Sequence, residues 1–195
     1  GLVDTHLHML HYAFVERSVK LFDCKSVEEA LEAAHKRLEE HAGKPLTWLY
    51  CRGWNEEHFA EPRYPLKEEL DALSKEIPII MVRVCGHVAV CNTPGLERLK
   101  KIPQFAEIAK DVDFETGLLK ENAVQFYSSV LKAPSQEEVE SYIVYSAKKL
   151  NECGFTGVQS DDLASLPGKN WKRIMNAYKA LDTRGELNVR HYEQC

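Results

Sequence analysis

Several features are missing from this 195-residue sequence, and each omission narrows what the protein can be. No apolar run approaches the roughly 18 residues that a membrane-spanning helix needs. The longest, Ile77–Val82, is strand-sized. There is no excess of basic charge: 25 Lys and Arg stand against 30 Asp and Glu, for a formal net charge of −5. The two signs are interleaved along the same segments, which argues against nucleic acid as a partner. The six cysteines form no C-x-x-C pair. Neither a zinc finger nor a disulfide framework is expected, and a reducing cytoplasm is the simplest setting. There is no glycine-rich phosphate loop, no G-x-S-x-G elbow, no H-E-x-x-H, no internal repeat and no low-complexity tract. No secretory signal opens the chain. It starts directly on the strand-like Gly1-Leu2-Val3, which reads as a piece of something longer. What is present, 44 % hydrophobic and 28 % charged residues, describes an ordinary globular protein with enough apolar material for a real core.

Helix starts are well marked. Ser26-Val27-Glu28-Glu29 and Ser135-Gln136-Glu137-Glu138 both carry the capping-box pattern. Behind the first, Val27, Ala30, Leu31, Ala34 and Leu38 make one apolar face, with Gly43 and Pro45 as the stop. Behind the second, Val139, Tyr142, Ile143 and Leu150 do the same, closed by Gly154. A third helix is expected over about 169–181, with Trp171, Ile174, Met175, Tyr178 and Leu181 inward. Shorter helical pieces are expected near 66–73, 94–100, 105–110 and 122–131. Strand candidates are 2–8, 47–51, 79–84, 155–159 and 187–192. Alternating strands and amphipathic helices predict an α/β fold with parallel βαβ units. The stretch of about 55–121 holds most of the prolines and reads as an elaborated insertion on that frame.

The sharpest chemical feature is Asp4-Thr5-His6-Leu7-His8. Residues two apart on a strand face the same way, about 7 Å from each other, so two imidazoles there could converge on one divalent ion. Neutral imidazoles suit zinc and similar metals. Arg83-Val84-Cys85-Gly86-His87, ending at Asn92, could hold a polar substrate, or His87 could satisfy a loop carbonyl. Trp54 in Gly53-Trp54-Asn55-Glu56 could wall a pocket or be core. Glu121, after the turn at Thr116-Gly117, is a surface charge or a pocket carboxylate. Asp161-Asp162 are pocket acids or a helix-start signal.

Taken in order, these runs resemble the amidohydrolase superfamily, and within it the amidohydrolase-3 group of metal-dependent hydrolases, which includes N-substituted formamide deformylase and proteins labelled exoenzyme regulatory protein. Gly1–His8 resembles the group's first barrel strand. Gly53-Trp54-Asn55-Glu56 resembles its G-W-(D/N)-E, and Leu70-Asp71-Ala72-Leu73-Ser74 with Ile77-Pro78-Ile79 its L-D-x-(V/L)-S…P-(V/I). Arg83–Asn92 resembles R-x-x-G-H-x-x-x-x-N, Thr116–Glu121 resembles T-G-x-L-x-E, and Gly154–Gln159 resembles a G-(V/I)-T-S-V strand. Cys85 stands where Asp is usual and Gly157 where Ser is usual. The resemblance implies the N-terminal part of a (β/α)8 TIM barrel, a partial barrel over residues 1–195. A whole barrel takes about 250 residues. It implies His6 and His8 as the first two ligands of a divalent metal, zinc above others, with Asp4 behind them. Trp54, Arg83, His87 and Glu121 fall on the side of a small-molecule substrate, and the bond cleaved is a C–N bond of the amide or formamide kind. The remaining ligands of the family fall on no matching position here, so the isolated chain is expected to be inactive. Open strand edges make a homo-oligomer an expectation. Two other readings stand beside it: a non-catalytic regulatory or binding protein on the same scaffold, and a PHP-type phosphoesterase, which also opens on D-x-H-x-H.

Overall fold

The structure is a computed structural model and describes residues 1–42, 46–125 and 127–194. In chain order its elements are β1 (Leu2–Leu7), α1 (Met9–Glu16), β2 (Val19–Lys20), α2 (Val27–Glu40), β3 (Leu49–Trp54), α3 (Lys67–Leu73), β4 (Ile79–Arg83) and β5 (Val88–Cys91). There follow α4 (Thr93–Leu99), α5 (Phe105–Ile108), β6 (Leu118–Lys120), α6 (Glu121–Gln125), α7 (Tyr127–Val130), α8 (Gln136–Glu152), β7 (Phe155–Ser160), α9 (Trp171–Thr183) and β8 (Arg190–Glu193). Short 3-10 turns lie at Glu56–His58 and Ala109–Asp111. Among the described residues no helix is long and apolar enough to cross a membrane.

The chain divides into two compact units. One is Gly1–Arg17 with Lys132–Cys195. Its three strands run in the order β1-β7-β8, all parallel. Its core joins Met9, Leu10 and Ala13 of α1 to Val139, Tyr142, Ile143 and Ala147 of α8, with Val158 of β7 and Ile174, Tyr178 and Leu181 of α9. Ser135 starts α8 with the full reciprocal cap: its hydroxyl accepts from Glu138 N–H, and Glu138 accepts from Ser135 N–H at 2.6 Å. Buried Ser146 interrupts the apolar stripe of α8 because its hydroxyl donates to the Met9 carbonyl, 2.7 Å away. Trp171, expected inward, is 53 % exposed. It is the first residue of α9, outside the inward stripe that begins at Ile174.

The other unit is Ser18–Leu131, with the sheet order β2-β3-β4-β5-β6. Strands β2, β3 and β4 are parallel. Strands β5 and β6 then turn back antiparallel, so this sheet is mixed where parallel units alone were expected. A tight turn folds β5 back on β4, and the chain returns through α4 and α5 to lay β6 beside β5. Gly86 adopts φ +81° in the turn between β4 and β5, and Gly117 adopts φ +79° ahead of β6, a region L side chains rarely enter. The core is Val27, Ala30 and Ala34 of α2 against Leu49, Cys51 and Trp54 of β3 and Ile79 and Met81 of β4. At the start of α2 the capping box is displaced by one residue: Ser26 accepts from Glu29 N–H, while Glu29 accepts from Lys25 N–H at 2.7 Å. Helix α2 ends at Glu40 with His41 as its cap residue; Gly43 and Pro45, the expected stop, lie outside the described residues. Cys51 and Cys91 are buried and act as small hydrophobes, and burial pushes both thiols up.

Candidate metal centre

His6 and His8 sit at the carboxyl end of β1. The strand is not regular there. Three steps on β1, Asp4 to Leu7, face two on β7, Val158 to Ser160. Such an irregularity re-aims side chains, so simple alternation does not describe this end of the strand. The two imidazoles nevertheless come together, with ring centroids 5.4 Å apart and planes at 79°. Both side chains are exposed. His8 is the residue from which α1 departs, and its Nδ1 lies 2.8 Å from the Asp161 carbonyl oxygen. A carbonyl only accepts, so Nδ1 carries the proton, and in the neutral ring Nε2 carries the lone pair. Metal-binding histidines commonly donate their other ring N–H to a carbonyl in this way. A cavity of about 370 Å³, lined by His8, His11, Asp161, Ala164 and Ser165, opens beside it.

Asp4 does not reach a ring nitrogen. Its Oδ1 accepts the backbone N–H of His6 at 2.9 Å, so it holds the main chain of the first histidine. Asp162, a pocket acid or a helix-start signal by its sequence context, lies in the segment next to His8. Asp162 is fully buried and accepts the N–H groups of Leu10 (2.9 Å) and His11 (3.3 Å), at the start of α1. It caps a helix about 150 residues upstream, not the one that follows it. Local spacing carries no trace of that contact. The donor set is therefore two imidazoles, one with its Nδ1 committed to a carbonyl. It fits part of a zinc-type shell, which takes at least three protein ligands. Among the described residues, no group of three His, Cys, Asp or Glu side chains is placed to hold a metal.

The other residues singled out in the sequence lie in the Ser18–Leu131 unit. Trp54 is fully buried. Its Nε1 donates to the Met81 carbonyl at 3.0 Å, and its ring meets Tyr64 edge-on at 5.1 Å. It is packed within the core of this unit. Arg83 is locked by a two-pronged contact to Glu56 (2.7 and 3.0 Å) and a third bond to Asn55 at 3.1 Å. The Glu56 carboxylate, and after it Cys85, push the guanidinium up, while the Arg83 donors hold Glu56 below the usual carboxylate range. Burial raises the Cys85 thiol, but the His87 N–H and the Arg83 guanidinium outweigh it, and the thiol lies below its ordinary value. His87 and Glu121 remain open to solvent and face each other, with Nδ1 3.1 Å from the carboxylate. Asn92 is fully buried and spends every hydrogen-bonding atom of its side chain internally.

A profile described as "Amidohydrolase family" matches residues 1–192. The chain belongs to the amidohydrolase family. It is 30 % identical over 184 residues to "Putative amidohydrolase YtcJ" of Bacillus subtilis (strain 168), a match covering 89 % of this chain and 34 % of that protein. It is 26 % identical over 208 residues to "Protein LONG AFTER FAR-RED 3" of Arabidopsis thaliana, covering 97 % of this chain and 34 % of that one. The crystal structure of an uncharacterized metal-dependent hydrolase from Pyrococcus horikoshii OT3 superposes with a TM-score of 0.69 at 24 % identity, over 98 % of this chain and 35 % of the other. One from Pyrococcus furiosus gives 0.67 at 22 %, over 98 % and 36 %. The fold is shared with both. This amidohydrolase-family chain spans about a third of the length of the relatives it matches.

Proposed function

We propose that this chain supplies His6 and His8 as two ligands of a divalent metal, zinc above others, in a hydrolase that cleaves a non-peptide C–N bond of the amide or formamide kind in a small molecule. The observation that carries the proposal is the pairing of the two rings at 5.4 Å with His8 Nδ1 committed to a carbonyl. The family match and the metal-dependent hydrolase neighbours support it. In this reading β1, β7 and β8, side by side in chain order and parallel, are opening strands of a (β/α)8 barrel, and the insertion of about 55–121 falls within the Ser18–Leu131 unit. Sites in such barrels gather at the carboxyl ends of strands, where His6 and His8 stand.

A divalent ion there would supply a water of lowered pKa, toward about 7, and polarise the carbonyl under attack. The chain's own residues do the rest of what is assigned to it. Asp4 fixes the His6 backbone. The Asp161 carbonyl keeps the His8 proton on Nδ1 and leaves Nε2 free to bind. His87 and Glu121 keep the substrate-side role, being exposed, whereas Trp54 and Arg83 serve the frame. Because two imidazoles fall short of a complete shell, the chain alone is inactive. Metal analysis after gel filtration and a panel of N-acyl and formamide compounds test this. The expected result is no equimolar metal and no turnover; hydrolysis by this chain alone would contradict it.

A further inference from the structure

We infer that Asp162 is a positioning residue for His8, acting through the start of α1 and the Asp161 carbonyl to commit the His8 ring to its Nδ1–H tautomer. The inference rests on the reading of His8 as a ligand for its meaning, but its geometry stands without a metal. Residues 160–162, where β7 ends, are tied to three segments at once. Toward α1, the Asp162 carboxylate takes the Leu10 and His11 N–H groups, and Ser160 Oγ takes the Met9 N–H at 3.3 Å. These are the donors directly after His8, which a helix leaves without internal partners. Toward β8, the Asp162 N–H donates to Glu193 at 2.6 Å. Within its own loop the Asp162 carbonyl accepts from the Ser165 N–H (3.0 Å) and hydroxyl (2.9 Å). The Ser160 hydroxyl donates to the same Asp162 carboxylate, and Asp161 N–H donates to the Leu7 carbonyl at 3.3 Å.

The consequence is geometric. His8 lies between Leu7 and Met9, and both of these neighbours are bonded to the segment that carries the Asp161 carbonyl. The carbonyl cannot drift from His8 Nδ1 while the Asp162 carboxylate and the start of α1 hold each other. A negative charge at a helix N-terminus adds a favourable dipole interaction to these bonds. Asp162 has no path to the imidazole itself; it works through the backbone.

Long-range 1H–15N NMR of the whole metal-free chain reads the tautomer of each histidine. It is run near pH 8.5, about two units above the ordinary imidazole pKa, so that the rings are neutral. The parent chain should show His8 protonated at Nδ1. Asp161→Ala should leave that unchanged, because the contact is through the main chain. Asp162→Asn loses the charge and one acceptor, and should shift His8 to a mixture in which the Nε2–H form gains the majority. Ser160→Ala should produce the same change to a smaller degree, and it carries the test if Asp162→Asn does not fold. A folded Asp162→Asn, or failing that Ser160→Ala, that keeps the parent His8 tautomer would overturn the inference. Because no metal is present, this failure is distinct from failure of the ligand assignment, which a zinc titration reads separately.

Discussion

Replacing Asn92 by alanine separates a structural from a substrate-binding role for the R-x-x-G-H…N run. Asn92 Oδ1 accepts from the Ile79 N–H at 2.8 Å and the Gly95 N–H at 3.0 Å; Nδ2 donates to the carbonyls of Ser74 (3.0 Å) and Ile77 (2.9 Å). Ser74 and Ile77 are half-buried, and water can partly replace the lost donor. Ile79 and Gly95 are buried, and their N–H groups would be left unpaired at a cost of about 1–3 kcal/mol each. Asn92 is also the N-cap of α4. Its loss is part of the same sum, which comes to about 2–6 kcal/mol. With a urea slope of about 2–3 kcal/mol/M, the midpoint should fall by roughly 1–3 M with the slope unchanged. Fluorescence suits the assay, because Trp54 is fully buried in the same unit as Asn92. A substrate contact on the surface would instead leave stability within about 0.5 kcal/mol. A midpoint that does not move would refute the structural account of Asn92.

Two further outcomes follow from the same unit. Arg83 holds the folded-state pKa of Glu56 below the carboxylate range. The stabilisation from this pair is therefore complete above the unfolded glutamate value of about 4.3, and it disappears as pH falls through the folded value. Glu56→Gln should lower the urea midpoint near neutral pH and converge with the parent at the acid end; an equal deficit at both ends would contradict the pairing. Gly117 adopts φ +79°, and a Cβ there would collide with the Cys91 carbonyl oxygen. Gly117→Ala should cost at least about 1–2 kcal/mol by chemical denaturation, and a neutral substitution would show that the turn before β6 relaxes freely.

Much of the frame was legible because its signals are local. The Ser135 capping box and the stripe Val139, Tyr142, Ile143 place α8 to the residue, and the apolar runs locate β1, β3, β4 and β7. Strands β5 and β6 are only four and three residues long, β5 set by the turn after β4 and β6 by a return through α4 and α5, so no period-two pattern announces them. Helix α1, directly after the histidines, gives no clear sequence signal, because its residues are apolar on more than one face and no side chain caps it from nearby. The site divides in the same way. The H-x-H pair is a local motif, and the rings do meet. The roles of Trp54, Arg83 and Asn92 depend on what lies across the sheet. A motif residue next to a strand end has the same sequence appearance whether it faces a ligand or, as Asn92 does, a buried N–H. Asp162 is the extreme case, since its partners Leu10 and His11 are 152 and 151 positions away.

The most direct test of the central claim is a zinc titration of the chain, followed through the imidazole NMR signals of its eight histidines. His6 and His8 should respond first and together, with weak binding, and His6→Ala should remove the response of His8 as well. Signals of His6 and His8 that stay still while other histidines respond, or that move independently of each other, would contradict it.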